Sequence, residues 1–566
     1  MPIGNRICTG VGLACAALVG ASLLLADEVP DQRVPDFTYS RPQGPPKILP
    51  ALPHERPKPP EIRFGVFKPF NAIDHFVLKE LQERKIKPAG ICDDGDFARR
   101  SSLDLVGVIP TATDLKRYLA WPQKERRTKW VDFLLAQSQY ADHWTIFWGD
   151  LLREQGRVPG TPPDSLKGFL RQCLTENRPY DEWVRELITA SGPSDENPAT
   201  AFILRDRADP DFLTISITQG FMGIQLKCAQ CHDHPFDWWT HRQFKDMNGF
   251  WLGTRPRFYR METMETRRGT MDRPLLGVES RERRAAGVFV TGATSEKGEG
   301  RDGLADLLTR RDNPFFARVT VNRLWDKLMG IGLVNPVDNF SALNPASHPK
   351  LLDWLALEFI DSGYDLKHIL RLIATSRTYQ QTTRRDIKRL PPPRKVGPSD
   401  DQNEVVPGAL YECMLLRRMS AEQIHDSILA ATGRYFGDRR FFQPAIEKSN
   451  PPPPRDFLRI FGSTDRDTLL PRPQTPTIQQ SLTMLNGDFL NQAVRIHPEH
   501  PIRYWERQGM SAADCVDALF LQILTRPPTG DERRWALSYI GEGTREWAWE
   551  DLQWALFNTR EFQFIR

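Results

Sequence analysis

From about Phe70 to the end of the chain, apolar residues recur at intervals of three and four, a spacing that confines the polypeptide to helices burying one face each. Trp130, Val131, Phe133, Leu134 and Leu135 lead into Trp144, Phe147, Trp148, Leu151 and Leu152. Asp164 stands where it would cap a helix carrying Leu166, Phe169, Leu170 and Cys173. After Pro179 a second helix carries Trp183, Val184, Leu187 and Ile188 and stops by Gly192. Further on, Leu351, Leu352, Leu355 and Phe359 share a face, with Ser347 placed to cap it and Gly363 to close it. Ser420-Ala421-Glu422-Gln423 is a capping box ahead of Ile424, Ile428 and Leu429, and Thr529-Gly530-Asp531-Glu532 repeats the device. Alternating strand-like runs are scarce. The pattern predicts a mainly α protein with two helical domains.

The length of 566 residues exceeds what one core needs and suits two to four domains. Apolar residues at 40% and charged residues at 26% exclude wholesale disorder and a multi-span membrane protein. Net charge is 76 − 72 = +4 with both signs scattered, which predicts no nucleic-acid partner. Residues 1–26 form a segment of their own: Arg6 is its only charge, and Ile7 to Ala26 is uncharged and largely apolar. It reads as an export signal cut after Ala26 or, uncut, as a membrane anchor just long enough to span. Both readings place the protein in the periplasm or cell envelope. The linker 27–65 follows, with ten prolines between Asp27 and Pro60, and reads as a stiff tether. A first helical domain is expected over 66–255 and a second over 301–566. Between them, 256–300 reads as a solvated Arg-rich connector, because nine arginines between Arg255 and Arg284 face five acids. Pro-rich breaks at Pro391–Pro393 and Pro451–Pro454 separate helical blocks in the second domain.

The chemistry concentrates in Cys228-Ala229-Gln230-Cys231-His232-Asp233-His234-Pro235. Cys-x-x-Cys-His is the attachment pattern of c-type haem. Two thiols three residues apart on a helical turn can each add to a porphyrin vinyl group, and the next residue presents an imidazole to the iron. Cys228 and Cys231 would be the thioether anchors and His232 the axial ligand. Random occurrence of the pattern with six cysteines after the leader has odds of about one in a thousand. Two other readings stand beside it. Cys228 and Cys231 with His234 and His241 have spacing suited to zinc, and the two cysteines alone suit a disulfide. A sixth iron ligand has four candidates downstream: His241, Met247, Met261 and Met264. His234 is too close in sequence to reach the far face of the same ring.

The stretch Gly223 to Asp237, with Trp239-Thr240 and Phe244 after it, resembles the planctomycete-specific cytochrome-c-like domain of unknown function. So do Asn71 to Val77, Leu103 to Gly107, Pro110-Thr111, and the set Trp148, Asp150, Leu151 and Arg153. The second region is similar to the domain of unknown function that partners it. The matching residues include Asn313 to Arg318, Val321 to Trp325, Pro336 to Phe340, Ser347-His348-Pro349 and Leu485-Asn486-Gly487. The resemblance covers most of residues 70–540 and implies an exported protein with a cytochrome-like motif and a helical companion. The chain departs from the pattern in having no second Cys-x-x-Cys-His. It also has Leu469-Leu470-Pro471-Arg472-Pro473 where many members carry cysteines, and a short connector where some insert a sheet domain.

In the second region Asp338, Asn339 and His348 form a polar cluster that could hold a hard cation or act as acid and base. The plainer reading gives Ser347 a capping role and makes Asp338 and Asn339 turn residues. No Gly-x-Ser-x-Gly, His-Glu-x-x-His or phosphate loop is present. The leading expectation is an exported haem protein transferring electrons to an unknown redox partner. A zinc- or disulfide-stapled scaffold and a metal-dependent hydrolase are the alternatives.

Overall fold

Capping boxes start the helices where the sequence places them. The Ser420 hydroxyl accepts the Gln423 N–H (3.2 Å) while the Gln423 amide oxygen accepts the Ser420 N–H (2.9 Å), opening the helix Ala421–Ala431. Thr529 and Glu532 exchange the same pair of bonds and open Gly530–Ile540. Two expected caps fail, each because another partner holds the side chain. Asp164 precedes the helix Ser165–Thr175, but its φ is 56° and its carboxylate pairs with Lys167 at 2.9 Å. Ser347 stands one residue too early: His348 is the N-cap of Pro349–Asp361, and Ser347 instead meets the His348 ring at 3.1 Å. The ring of Pro349, with φ preset for a helix, makes the start there.

This computed structural model describes residues 47–62, 68–266, 269–280, 286–383, 410–435, 442–448, 450–453, 455–463, 466, 475–541 and 546–566. The leader 1–26, the first part of the tether, the Pro391–Pro393 break and Leu469 to Pro473 lie outside them. The fold is mainly helical, as the periodicity predicts. Among the described residues no helix is long and apolar enough to cross a membrane.

Among the described residues two apolar cores form, and they do not divide at the connector. The first runs from Leu52 to Met414 and the second from Met419 to Ile565, with Leu103, Ile109 and Ala112 joining the latter. The reason is aromatic. Tyr180 lies 5.0 Å from Trp148, 5.1 Å from Phe316 and 5.9 Å from Phe359 between ring centroids, so anchors from both sides of residue 300 pack as one cluster. The latter half of the tether is likewise not a stand-off spacer. Leu52 is buried, the Pro50 carbonyl accepts from Arg318 at 2.7 Å, and Arg56 reaches Glu358 and Asp361.

The connector is not a solvated loop. Thr254–Thr266 and Gly269–Ser280 pair antiparallel from Thr254↔Ser280 to Thr266↔Gly269, with a bulge between Phe258 and Arg260. Gly192–Pro193 adds a short third strand beside Val278 and Gly277. Leu275 and Val278 are buried at its base, so an apolar pattern exists that the arginine count hides. The base docks through Leu276, whose N–H donates to the Gly160 carbonyl at 2.7 Å. Gly160 sits at φ 81°, and a Cβ there would fall 2.3 Å from the Leu276 side chain, so only glycine fits.

Candidate functional site

The Cys-x-x-Cys-His segment is delivered by the helix Pro210–Met222. Asp209 caps its start by accepting the Asp211 N–H at 2.9 Å, with Pro210 in the first turn. Gly223 ends it at φ 62°, where a Cβ would lie 2.8 Å from the Phe340 ring. Ile224 and Leu226 then turn inward, and Leu226–Gln230 winds as a 3₁₀ helix. Three residues per turn place positions three apart on the same edge. Leu226 and Ala229 therefore bury together, and Cys228 and Cys231 stack on an exposed edge as unpaired thiols.

His232 follows, also exposed, and its Nδ1–H donates to the Asp233 carbonyl at 2.7 Å. That bond commits one ring nitrogen and leaves Nε2 as the lone-pair nitrogen. Asp233 is itself fixed, because its carboxylate accepts the His241 N–H at 2.9 Å. His241 returns to the motif through Nδ1–H to the Ala229 carbonyl at 3.0 Å. A capping box between Thr240 and Gln243 opens the helix His241–Asn248, which locks this return. Gln230 donates to Asp211 at 2.9 Å, tying the turn to the helix that delivers it.

The zinc set is not gathered. His234 is buried, its Nδ1 accepts the Phe236 N–H at 3.2 Å, and burial holds its imidazole below the ordinary range. His241 gives its Nδ1–H to the Ala229 carbonyl. Among the described residues no group of three or more His, Cys, Asp or Glu side chains is arranged to hold a metal ion. Of the sixth-ligand candidates, Met247 is fully buried and Met261 stands exposed on the strand Thr254–Thr266. The Met264 side chain lies outside the described residues.

The second-region cluster goes to separate partners. Asp338 accepts from Arg323 at 2.8 Å and from Gln219 at 3.3 Å. The Asn339 carbonyl accepts from Asn344 at 2.9 Å. His348 is buried against Tyr411, and burial pushes its imidazole down to about 4. Asn322 bonds both backbone groups of Val334 at 2.9 Å, which is a loop clamp.

Two residues holding the motif escape sequence reasoning. Asp237 is buried and accepts from the Trp238 N–H at 2.7 Å and the Ser341 hydroxyl at 2.9 Å. Asp237 lies inside the quoted stretch, but Ser341 carries no sequence signal.

Residues 72–255 match the family model described as PSCyt2, protein of unknown function (DUF1549). Residues 300–540 match the one described as PSD1, protein of unknown function (DUF1553). The chain carries these two domains in that order. No curated protein and no solved structure matches it. The PSCyt2 domain supplies the whole Cys-x-x-Cys-His turn, and the PSD1 domain supplies its backing. Ser341 holds Asp237, and the Phe340 N–H donates to the Gly223 carbonyl at 2.9 Å.

Proposed function

We propose that the protein is an exported c-type haem protein with a redox or electron-transfer role. One observation carries the reading: two unpaired thiols share the exposed edge of one short turn, followed at once by an exposed imidazole with its Nδ1–H committed. That donor set fits covalent haem. Cys228 and Cys231 would hold the porphyrin edge through thioethers, and His232 would offer Nε2 to the iron. Bound haem would supply one-electron chemistry at a potential set by its axial ligand and surroundings. The chain's own part is positioning. The Asp233 carbonyl fixes the His232 tautomer, the Asp233–His241 bond holds that carbonyl, and Asp237 with Ser341 anchors the loop. Export, through Ile7 to Ala26 as signal or anchor, fits attachment outside the cytoplasm.

The test is an optical spectrum and a haem stain after denaturing electrophoresis, on full-length protein made in a host with c-type maturation. A Soret band and a stain retained on the denatured chain, both lost in Cys228→Ser with Cys231→Ser, are expected. A colourless, unstained protein beside a control cytochrome matured in the same cells overturns the reading.

A further inference from the structure

We propose that the seam between the PSCyt2 and PSD1 domains holds a binding site for a small primary ammonium group, with the Glu154 carboxylate as its acceptor. The site is independent of the haem reading. It occupies a narrow cleft with a volume of about 30 Å³, lined by Thr145, Glu154 and Lys167 on one side and Glu422, Asn450 and Arg466 on the other. Glu154 is 1% exposed. One of its oxygens accepts from Asn450 at 2.9 Å and from the Arg466 guanidinium, and the other, Oε1, is buried with no partner. The Thr145 hydroxyl in the same lining is also buried and unpartnered. Native interiors rarely leave one such atom unsatisfied. Two in one cleft mark a place for something that donates.

The charges select which donor. Arg466 is answered by Asp150 at 2.6 Å and by Glu154, Lys167 by Asp164 at 2.9 Å, and Lys448 by Asp456 at 2.9 Å. An anion would find these cations already paired, whereas the open valence belongs to the Glu154 carboxylate. A group with both positive charge and N–H donors answers the open Glu154 Oε1, and the Thr145 hydroxyl lines the same cleft. The volume admits one non-hydrogen atom, which suits an ammonium tip on a slender chain. The walls are braced for the purpose: Arg153 pairs with Asp206 at 3.2 Å, Arg205 with Asp206 at 2.7 Å, and Arg205 donates to the Arg466 carbonyl at 2.9 Å. Asp150 and Arg153, which the sequence marks only by resemblance, acquire a common place here.

The test follows the thermal unfolding midpoint of the full-length protein in methylammonium chloride and in tetramethylammonium chloride at equal ionic strength. The second cation has the charge but no N–H. A saturable rise with methylammonium alone is expected, and Glu154→Gln and Thr145→Val should each remove it. Thr145→Val leaves the Glu154–Arg466 pair intact, so it tests the site even where Glu154→Gln fails to fold. An equal response to the two cations, or a rise that survives in Thr145→Val, overturns the proposal. A blocked lysine tripeptide separates the sources of the amine. Half-saturation below that of methylammonium assigns the site to a peptide amine, and half-saturation above it to a free small amine.

Discussion

Asp237 shows how a single carboxylate joins the motif loop to a domain that begins more than sixty residues later, at residue 300. It is 8% exposed and receives two donors, the Trp238 N–H and the Ser341 hydroxyl. Removing the acceptor leaves both without a partner, so Asp237→Ala should destabilise the protein by about 2 kcal/mol in urea unfolding. Ser341→Ala, which removes the hydroxyl donor and the acceptor of the Leu343 N–H at 3.2 Å, should cost about 1 kcal/mol. Because the two side chains share one bond, the double variant should cost less than the sum of the single losses, and full additivity would mean the bond does not form. The exposed turn carrying Cys228, Cys231 and His232 was legible because the motif is a matter of spacing along the chain. Ser341 was not, since a serine becomes a partner only when folding brings it to Asp237 from 104 positions away. The same holds for the zinc set: sequence spacing brings His234 and His241 near the cysteines, but folding buries His234 and gathers no metal-holding group among the described residues.

Helix starts divide into those set by their own four residues and those set by the surroundings. Ser420 and Thr529 reach only as far as the third helical residue, and both form as the sequence predicts. Asp164 and Ser347 satisfy the same composition rule, yet Lys167 and His348 compete for their side chains. A matched pair of substitutions separates the two classes. Ser420→Ala should lose about 1 kcal/mol, because two backbone donors at the start of a buried helix lose their acceptors or positioning. Asp164→Ala should change stability by less than about 0.5 kcal/mol, since it removes one partly exposed ion pair and no cap. Equal losses, measured by chemical unfolding, would show that Asp164 caps after all. The hairpin Thr254–Thr266 with Gly269–Ser280 was hidden for a different reason. Its arginines were counted as charge, although a strand tolerates them along its open length while Leu275 and Val278, on opposite faces, are both buried at its base.

At the scale of the whole molecule, the helix Asp94–Val106 threads between the two cores and couples them. Arg99 donates to the Ile523 carbonyl at 2.9 Å and the Phe562 carbonyl at 2.6 Å, on the second core. Its neighbour Arg100 donates to the Tyr379 carbonyl at 2.6 Å, on the first. Asp104, at the end of the same helix, holds Arg417 at 2.7 Å where the chain passes from one core to the other. Both arginines are fully buried, so parting the cores would strand the Arg99 guanidinium if the helix stayed with the first core and take from Arg100 its Tyr379 acceptor if it stayed with the second. Helical periodicity announced the helices but not this seam, because carbonyls as acceptors leave no mark in the sequence. The two cores should therefore unfold in one transition, and buried histidines supply the means to see it. Burial holds His348, in the first core, at about 4 and His500, in the second, at about 3. In the unfolded chain both return to about 6.5. Between these values the unfolded state binds more protons, so the contribution is intact above pH 6.5 and lost as pH falls toward 4 and below. For His348 the full loss is on the order of 3 kcal/mol. Urea unfolding should show stability falling between pH 6.5 and 5, above the range where ordinary carboxylates titrate. His348→Gln and His500→Gln should each flatten that fall, and both should act on the same single transition. Two resolved transitions, each answering to only one of the histidines, would show that the arginines of this helix do not hold the cores together.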